Sequence, residues 1–134
     1  MASKLTTKEE ILFRQIHPNS LQDGEPASDR FRPSEADQNL LSTDRSSITS
    51  AEEAHSLYTS TGKRSAAVFG LSVSEFEAES ISCVEDPIKD DPELPDNPAH
   101  ALADYNGHDQ KKQKVVAKRL KSLAVKRGCL YKHT

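Results

Sequence analysis

Apolar residues cluster in a few short stretches separated by long polar ones, and the longest sustained apolar run is Ser65 to Val73, reading Ser-Ala-Ala-Val-Phe-Gly-Leu-Ser-Val. Its Val and Phe content and its small residues predict a central strand covered on both faces. Ile11 to Ile16 alternates around Arg14 and stops at His17-Pro18, where proline disfavours helix for the residue before it, so a first strand is predicted there. Leu40 to Ser42 predicts a short strand or strand edge, Ser80 to Val84 another strand, and Ala99 to Tyr105 a further one before the Asn106-Gly107 turn. Cys129 to Tyr131 suits a final short strand.

Two helices stand out. Thr49 or Ser50 can cap the first, with Glu53 at capping-box spacing from Ser50, and Ala51, Ala54, Leu57 and Tyr58 recurring at helical intervals until Gly62. Packed on the 66–73 strand, this helix is expected to bury Leu57 and Tyr58. The second starts at Asp109. Val116, Ala117, Leu120, Leu123 and Ala124 share one arc of its surface, Lys111, Lys114, Lys118 and Lys121 lie opposite, and Gly128 stops it. Ser74 to Glu79 has room for about one further turn. Together these elements predict a small α+β, or mixed α/β, domain: a mixed sheet of about five short strands, two main helices and long polar loops. Residues 1–10 are expected to form a flexible lead-in and 11–134 the single domain.

The loops are long for so small a chain. From Asn19 to Asn39, just after Pro18, run Pro26, Pro33 and the Asp23-Gly24 pair with few large apolar residues, and a loop of that length in a small domain is usually a binding loop or a disordered one. Within it, Phe31 stands between Arg30 and Arg32; packing of Phe31 would pin the loop and hold both guanidiniums near one spot. Glu85 to Pro98 carries four prolines and six acids against one lysine, an acidic extended segment.

Charge is divided unevenly. Residues 1–110 hold all 21 acids and nine Lys or Arg, a balance of −12, whereas 111–134 hold nine bases and no acid, a balance of +9. Two separate charged surfaces, or one internal pairing of the acidic loop with the basic helix, would both give this composition. Cys83 and Cys129, 46 residues apart, make no Cys-x-x-Cys pattern, which suits a reducing cytoplasm and inert thiols. No apolar run approaches the ~18 residues needed to cross a membrane, and the first ten residues lack an apolar signal core.

Candidate chemistry is sparse. The histidines, His17, His55, His100, His108 and His133, are not paired at ligand spacing, so no metal is expected. Phosphate-cradling, dinucleotide and nucleophile-elbow motifs are missing, and no cofactor is expected. Arg14, His17, Arg30, Arg32 and His100 are the residues best suited to an anionic small ligand, because guanidinium forks match phosphate and carboxylate. For that reading they must converge on one pocket.

Leu12-Phe-Arg14, Leu41-Ser42-Thr43 and Glu75-Phe-Glu77 resemble, in order, the Arg, Ser-Thr and Glu-x-Glu elements of ADP-ribosyltransferases. The resemblance implies NAD as ligand, with Arg14 holding the dinucleotide, Ser42 supporting the site and Glu77 stabilising charge or positioning the acceptor; Asp44 departs from the pattern at the third position of the Ser-Thr element. Leu-Phe-Arg-Gln-Ile-His-Pro, Phe-Arg-Pro before Leu-Leu-Ser, and Pro-Asp-Asn-Pro-Ala-His-Ala also make the chain similar to small single-domain bacterial proteins of no assigned activity. The reading that leads is a protein-interaction or regulatory protein binding another protein through its opposed charges. An NAD- or phosphate-binding enzyme follows. A nucleic-acid adaptor using Lys111, Lys114, Lys118 and Lys121 ranks third, since the acidic remainder repels a polyanion.

Overall fold

The computed structural model describes residues 3–133. An α+β domain is formed by a six-stranded sheet in the order β6-β7-β4-β1-β5-β8, with a separate two-stranded hairpin, β2-β3. The strands are β1 (Ile11–Ile16), β2 (Leu21–Gln22), β3 (Glu25–Pro26), β4 (Leu40–Arg45), β5 (Ala67–Ser72), β6 (Ser82–Glu85), β7 (His100–Asp104) and β8 (Tyr131–Lys132). The helices are α1 (Ala51–Ser60), α2 (Val73–Glu77) and α3 (Gln110–Arg127). Every strand pairing is antiparallel, so the sheet is not of the mixed kind expected.

Residues Ala67–Ser72 of the 65–73 run form β5, and all six are buried. It lies next to the sheet edge rather than at its centre, which belongs to β1 and β4. Alternation sends Ala67, Phe69 and Leu71 to one face, where they meet Leu12 and Ile16 of β1, Leu41 of β4, Ala101 and Ala103 of β7, and Val116, Ala117, Leu120 and Ala124 of α3. Val68 points the other way, with Phe13 and Ala54, into a much smaller cluster under α1. Gly70 is required on that second face. A Cβ there would lie 2.6 Å from Ile11 Cγ2 and 2.7 Å from Leu130 Cδ1, so the two side chains close directly over its backbone.

The helix ends follow their predicted chemistry. Ser50 Oγ accepts from Glu53 N at 3.1 Å, Asp109 Oδ1 accepts from Lys112 N at 2.8 Å, and Gly128 takes φ +100 after α3. Two packing expectations are corrected. Leu57 and Tyr58 stay half-buried, because α1 sets Ala54 and His55 against the sheet instead. Leu123 is 36% exposed, since the buried stripe of α3 runs through Gln113, Val116, Ala117, Leu120 and Ala124.

The predicted lead-in is also part of the domain. Leu5 is buried, its N–H donates to Cys83 O at 2.8 Å, and Glu85 N donates to Ser3 O at 2.9 Å, so residues 3–5 lie along the outer edge of β6. The 19–39 loop is ordered by Phe31, fully buried, whose carbonyl accepts from Tyr105 Oη. Tyr105 is buried as well, and that burial pushes its phenol well above the ordinary range. Among the described residues no helix is long and apolar enough to cross a membrane.

Candidate functional site

α1 is only ten residues long and covers the β1 and β5 side of its face, leaving Ser42 and Asp44 of β4 and His100 of β7 uncovered. The acidic 86–97 segment arches over that part of the sheet. Ile88 and Asn97 exchange two backbone hydrogen bonds, of 2.9 and 2.8 Å, and Asp86 N donates to His100 O at 2.9 Å, so the arch is tied at its base. Asp91 Oδ1 accepts from Glu93 N at 2.8 Å and Leu94 N at 3.1 Å, shaping its tip. Between arch and α1 lies a cleft of about 390 Å³. Its floor is Phe13, Gln15, Ser42, Asp44 and His100. Its walls are Leu57 and Tyr58 on one side and Ile88, Leu94 and Pro95 on the other.

Polar groups converge on the floor. Asp44 and His100 face each other across β4 and β7 at a non-hydrogen-bonded rung, a geometry that places Cβ atoms about 4.5–5.5 Å apart. Asp44 Oδ1 accepts from Asn97 Nδ2 at 2.8 Å, and among the described residues its second oxygen has no donor. Burial raises the Asp44 pKa, against the opposing pull of the Asn97 bond and of His100. His100 Nδ1 lies 3.1 Å from Asp86 O and 3.0 Å from Asp86 Oδ2. A carbonyl can only accept, so Nδ1 carries a proton, which leaves Nε2 as the ring nitrogen that faces a further partner. Gln15 Oε1 accepts from Ser65 Oγ at 2.7 Å, while its buried Nε2 has no partner.

Arg14 enters from a seam in the sheet. β1 and β4 pair at Leu12 with Arg45 and Phe13 with Asp44, and the next rungs in that register, Arg14 with Thr43 and Gln15 with Ser42, are not formed. The Arg14 guanidinium occupies this parting: Nε donates to Arg30 O at 2.6 Å and Nη1 to Ser42 O at 3.3 Å. Nη2 makes no hydrogen bond, and among the described residues no carboxylate is within ion-pairing distance. Burial, with the nearby Arg30 charge, pushes the Arg14 pKa down to about 10.

The five residues expected to hold an anion do not all converge. Arg14 and His100 line the cleft, but His17 Nδ1 accepts from Asn19 N at 3.0 Å and caps the turn at Pro18–Ser20. Arg30 and Arg32 sit at and just beyond the Ser28–Phe31 turn, which packs against α3 and outside the cleft lining. The transferase-like set is separated too. Arg14 and Ser42 are joined only through the Ser42 carbonyl, and Glu77 closes α2, where Lys8 holds its carboxylate. Glu75 is bound by Arg127, at 2.7 and 3.1 Å.

Sequence reasoning missed Gln15, Asp44, Asp86 and Asn97. The signal for Asp44 was present: it extends the Leu41-Ser-Thr alternation by one more residue, a charge on a strand two positions from Ser42. The Asp86 to His100 contact had none, because it depends on a turn back of 14 residues through the prolines.

The acidic arch and the basic helix cover opposite faces of the sheet and are not each other's partner. Arg119 instead binds Glu79 at 2.9 and 2.7 Å, and Lys121 reaches Glu25 at 3.7 Å, while Lys111, Lys114 and Lys118 stay exposed. Cys83 is buried, its thiol pushed up to about 12 chiefly by desolvation, and Cys129 is exposed. Among the described residues no group of three His, Cys, Asp or Glu side chains could hold a metal ion. No protein-family model matches the chain, and no curated protein or solved structure is significantly similar to it.

Proposed function

We propose that the protein binds a small molecule in the cleft between α1 and the 86–97 arch, with His100 and Asp44 able to exchange a proton with it. The observation that carries this reading is what one concave space brings together: Asp44 and His100 side by side on the floor, the buried and unpartnered Nε2 of Gln15 near them, and Arg14 in the adjoining seam. Buried polar groups are ordinarily hydrogen-bonded, and an orphaned donor beside a carboxylate and an imidazole in one concave, partly apolar space is what a ligand site offers. Asp86 holds His100 as a base would be held. The test is a thermal-shift screen across anions, cations, zwitterions and neutral molecules, with NAD and simple phosphates included. A ligand at a hundred times its dissociation constant adds about 2.7 kcal/mol of stability. A rise in melting temperature that Asp44→Asn removes supports the reading; no rise in any class sinks it.

A second reading, association with another protein, is favoured by the placement of the two charged surfaces. An acidic arch on one face and exposed lysines on the other leave both signs available to a partner. Exposed charges are screened over about 8 Å at physiological ionic strength, so such binding weakens as salt rises. Recovery of no partner from cell extract at low salt argues against it. The nucleic-acid reading also rests on those exposed lysines, but the −12 balance of the rest of the chain opposes it.

A further inference from the structure

Resting on the ligand-binding reading, we infer that the cleft selects a small zwitterion of the α-amino-acid kind, its carboxylate seated on Arg14 and Gln15, its protonated amine on Asp44, and its side chain among Leu57, Tyr58 and Leu94. The cleft is electrically divided along its floor. Toward β1 and α1 its charged lining residues are both cations, Arg14 in the seam and Lys63, whose Nζ stands 5.2 Å above the Tyr58 ring, and the orphan Gln15 Nε2 lies on the same side. Toward β7 and the arch it offers acceptors: Asp44, Asp86 and Asp91.

Arg14 and Asp44 belong to adjacent, paired strands and line one cavity, yet they do not pair with each other. The reason is geometric. Phe13 is the partner of Asp44, so Arg14, one residue on, leaves the strand toward the opposite face and reaches only the seam, where Ser42 O and Arg30 O fix it. Asn97 fixes Asp44 from the other side. Two opposite charges held apart in a partly dehydrated space are complementary to a ligand that brings both countercharges. Either single charge is at a disadvantage: an anion must lie beside three aspartates, and a cation beside a guanidinium and Lys63. Because a fork can take two oxygens of a planar group, a carboxylate suits Arg14 geometrically. The remaining space is walled by apolar side chains and accepts a hydrocarbon or aromatic body.

The test uses the standard α-amino acids as probes on the full chain, followed by thermal shift and by amide chemical-shift titration. For the best of them, three analogues are compared: the amine lacking the carboxylate, the acid lacking the amine, and the neutral N-acetyl amide. The expected result is that an amino acid binds and each analogue is weaker by about tenfold or more. Asp44→Asn should abolish the discrimination against the acid lacking the amine, and Arg14→Gln that against the amine lacking the carboxylate. Should Arg14→Gln fail to fold, the Asp44→Asn comparison stands alone. An analogue bearing one charge that binds as tightly as its parent overturns the zwitterion inference. So does a screen in which only anions, only cations or only neutral molecules bind, although ligand binding in the cleft then survives. Silence from every class overturns both.

Discussion

The same two strands carry two pairs of opposite charges that meet different fates. At one end Glu10, buried just before β1, receives Arg45 Nε at 3.2 Å and Nη2 at 3.1 Å, and Ser47 donates to it through both N and Oγ. A few residues along, Arg14 and Asp44 line one cavity with no charge partner between them. The first pair is closed in the manner of a structural bridge, every oxygen of the carboxylate spoken for. The second is held open by backbone carbonyls and an asparagine. Similar residue types a few residues apart thus serve stability in one place and leave binding capacity in the other, and where β1 and β4 part decides which.

The comparison is most severely tested by breaking the closed pair. Arg45→Met leaves a dehydrated carboxylate with only Ser47, and we expect a loss of about 3 kcal/mol in urea unfolding. Adding Glu10→Gln to it should return part of that loss, because the stranded charge is gone. Arg14→Met is expected to cost less, roughly 1–2 kcal/mol, since it orphans the Ser42 and Arg30 carbonyls but also removes an unpaired, dehydrated cation. If Arg14→Met proves the more damaging of the two, the contrast between a structural and a binding pair is wrong.

Titration sharpens the contrast with a smaller effect. Burial would lift the Glu10 pKa, but the bonds from Arg45 and Ser47 outweigh it and hold the carboxyl below its ordinary range. Its contribution is therefore complete at neutral pH and is lost as pH falls through that depressed value. Asp44 runs the other way. Its raised pKa means that the folded state favours the protonated acid, so its contribution is greatest at low pH and fades as pH rises from the ordinary carboxyl value through the folded one. Stability measured against pH should lose part of its acid-side slope in Glu10→Gln, the remainder coming from Glu75, Glu77 and Glu79, which are also held below the ordinary range by their Arg and Lys partners. In Asp44→Asn the opposing slope should vanish, leaving that variant as stable as the parent or slightly more so at neutral pH. A clear loss of stability in Asp44→Asn at pH 7 would contradict the placement of Asp44 as an open charge.

Much of the framework was legible because it is local. Asp109 and the stripe from Val116 to Ala124 announce α3, Ser50 with Glu53 announces α1, and the apolar 65–73 run announces β5. The site was mostly hidden because it is made by register and by a long return of the chain. Arg14 and His100 could be picked out as polar residues in strand-like surroundings, and both reach the cleft. Their neighbours could not: whether Gln15 meets Ser42 depends on where β1 and β4 part, and Asp86 finds His100 only after the prolines have turned the arch. The strand at Leu40 also runs three residues past the predicted Ser42, which is what brings Asp44 onto the floor. Arg30 and Arg32 looked equally apt as anion ligands, yet the burial of Phe31 commits their segment to the α3 side.

The short stretch from Ser3 to Leu5 bears on how this molecule behaves in company. Its backbone bonds to Cys83 O and from Glu85 N occupy the outward rim of β6, a row of donors and acceptors that would otherwise be free to template another chain. Displacing those three residues would cost the monomer little of its interior, Leu5 apart, but would bare a ready seed for end-to-end strand addition. Colloidal behaviour thus rests on a stretch outside the cleft, anchored to the rest of the molecule by Leu5 in the core and by Lys4 beside Glu77 of α2.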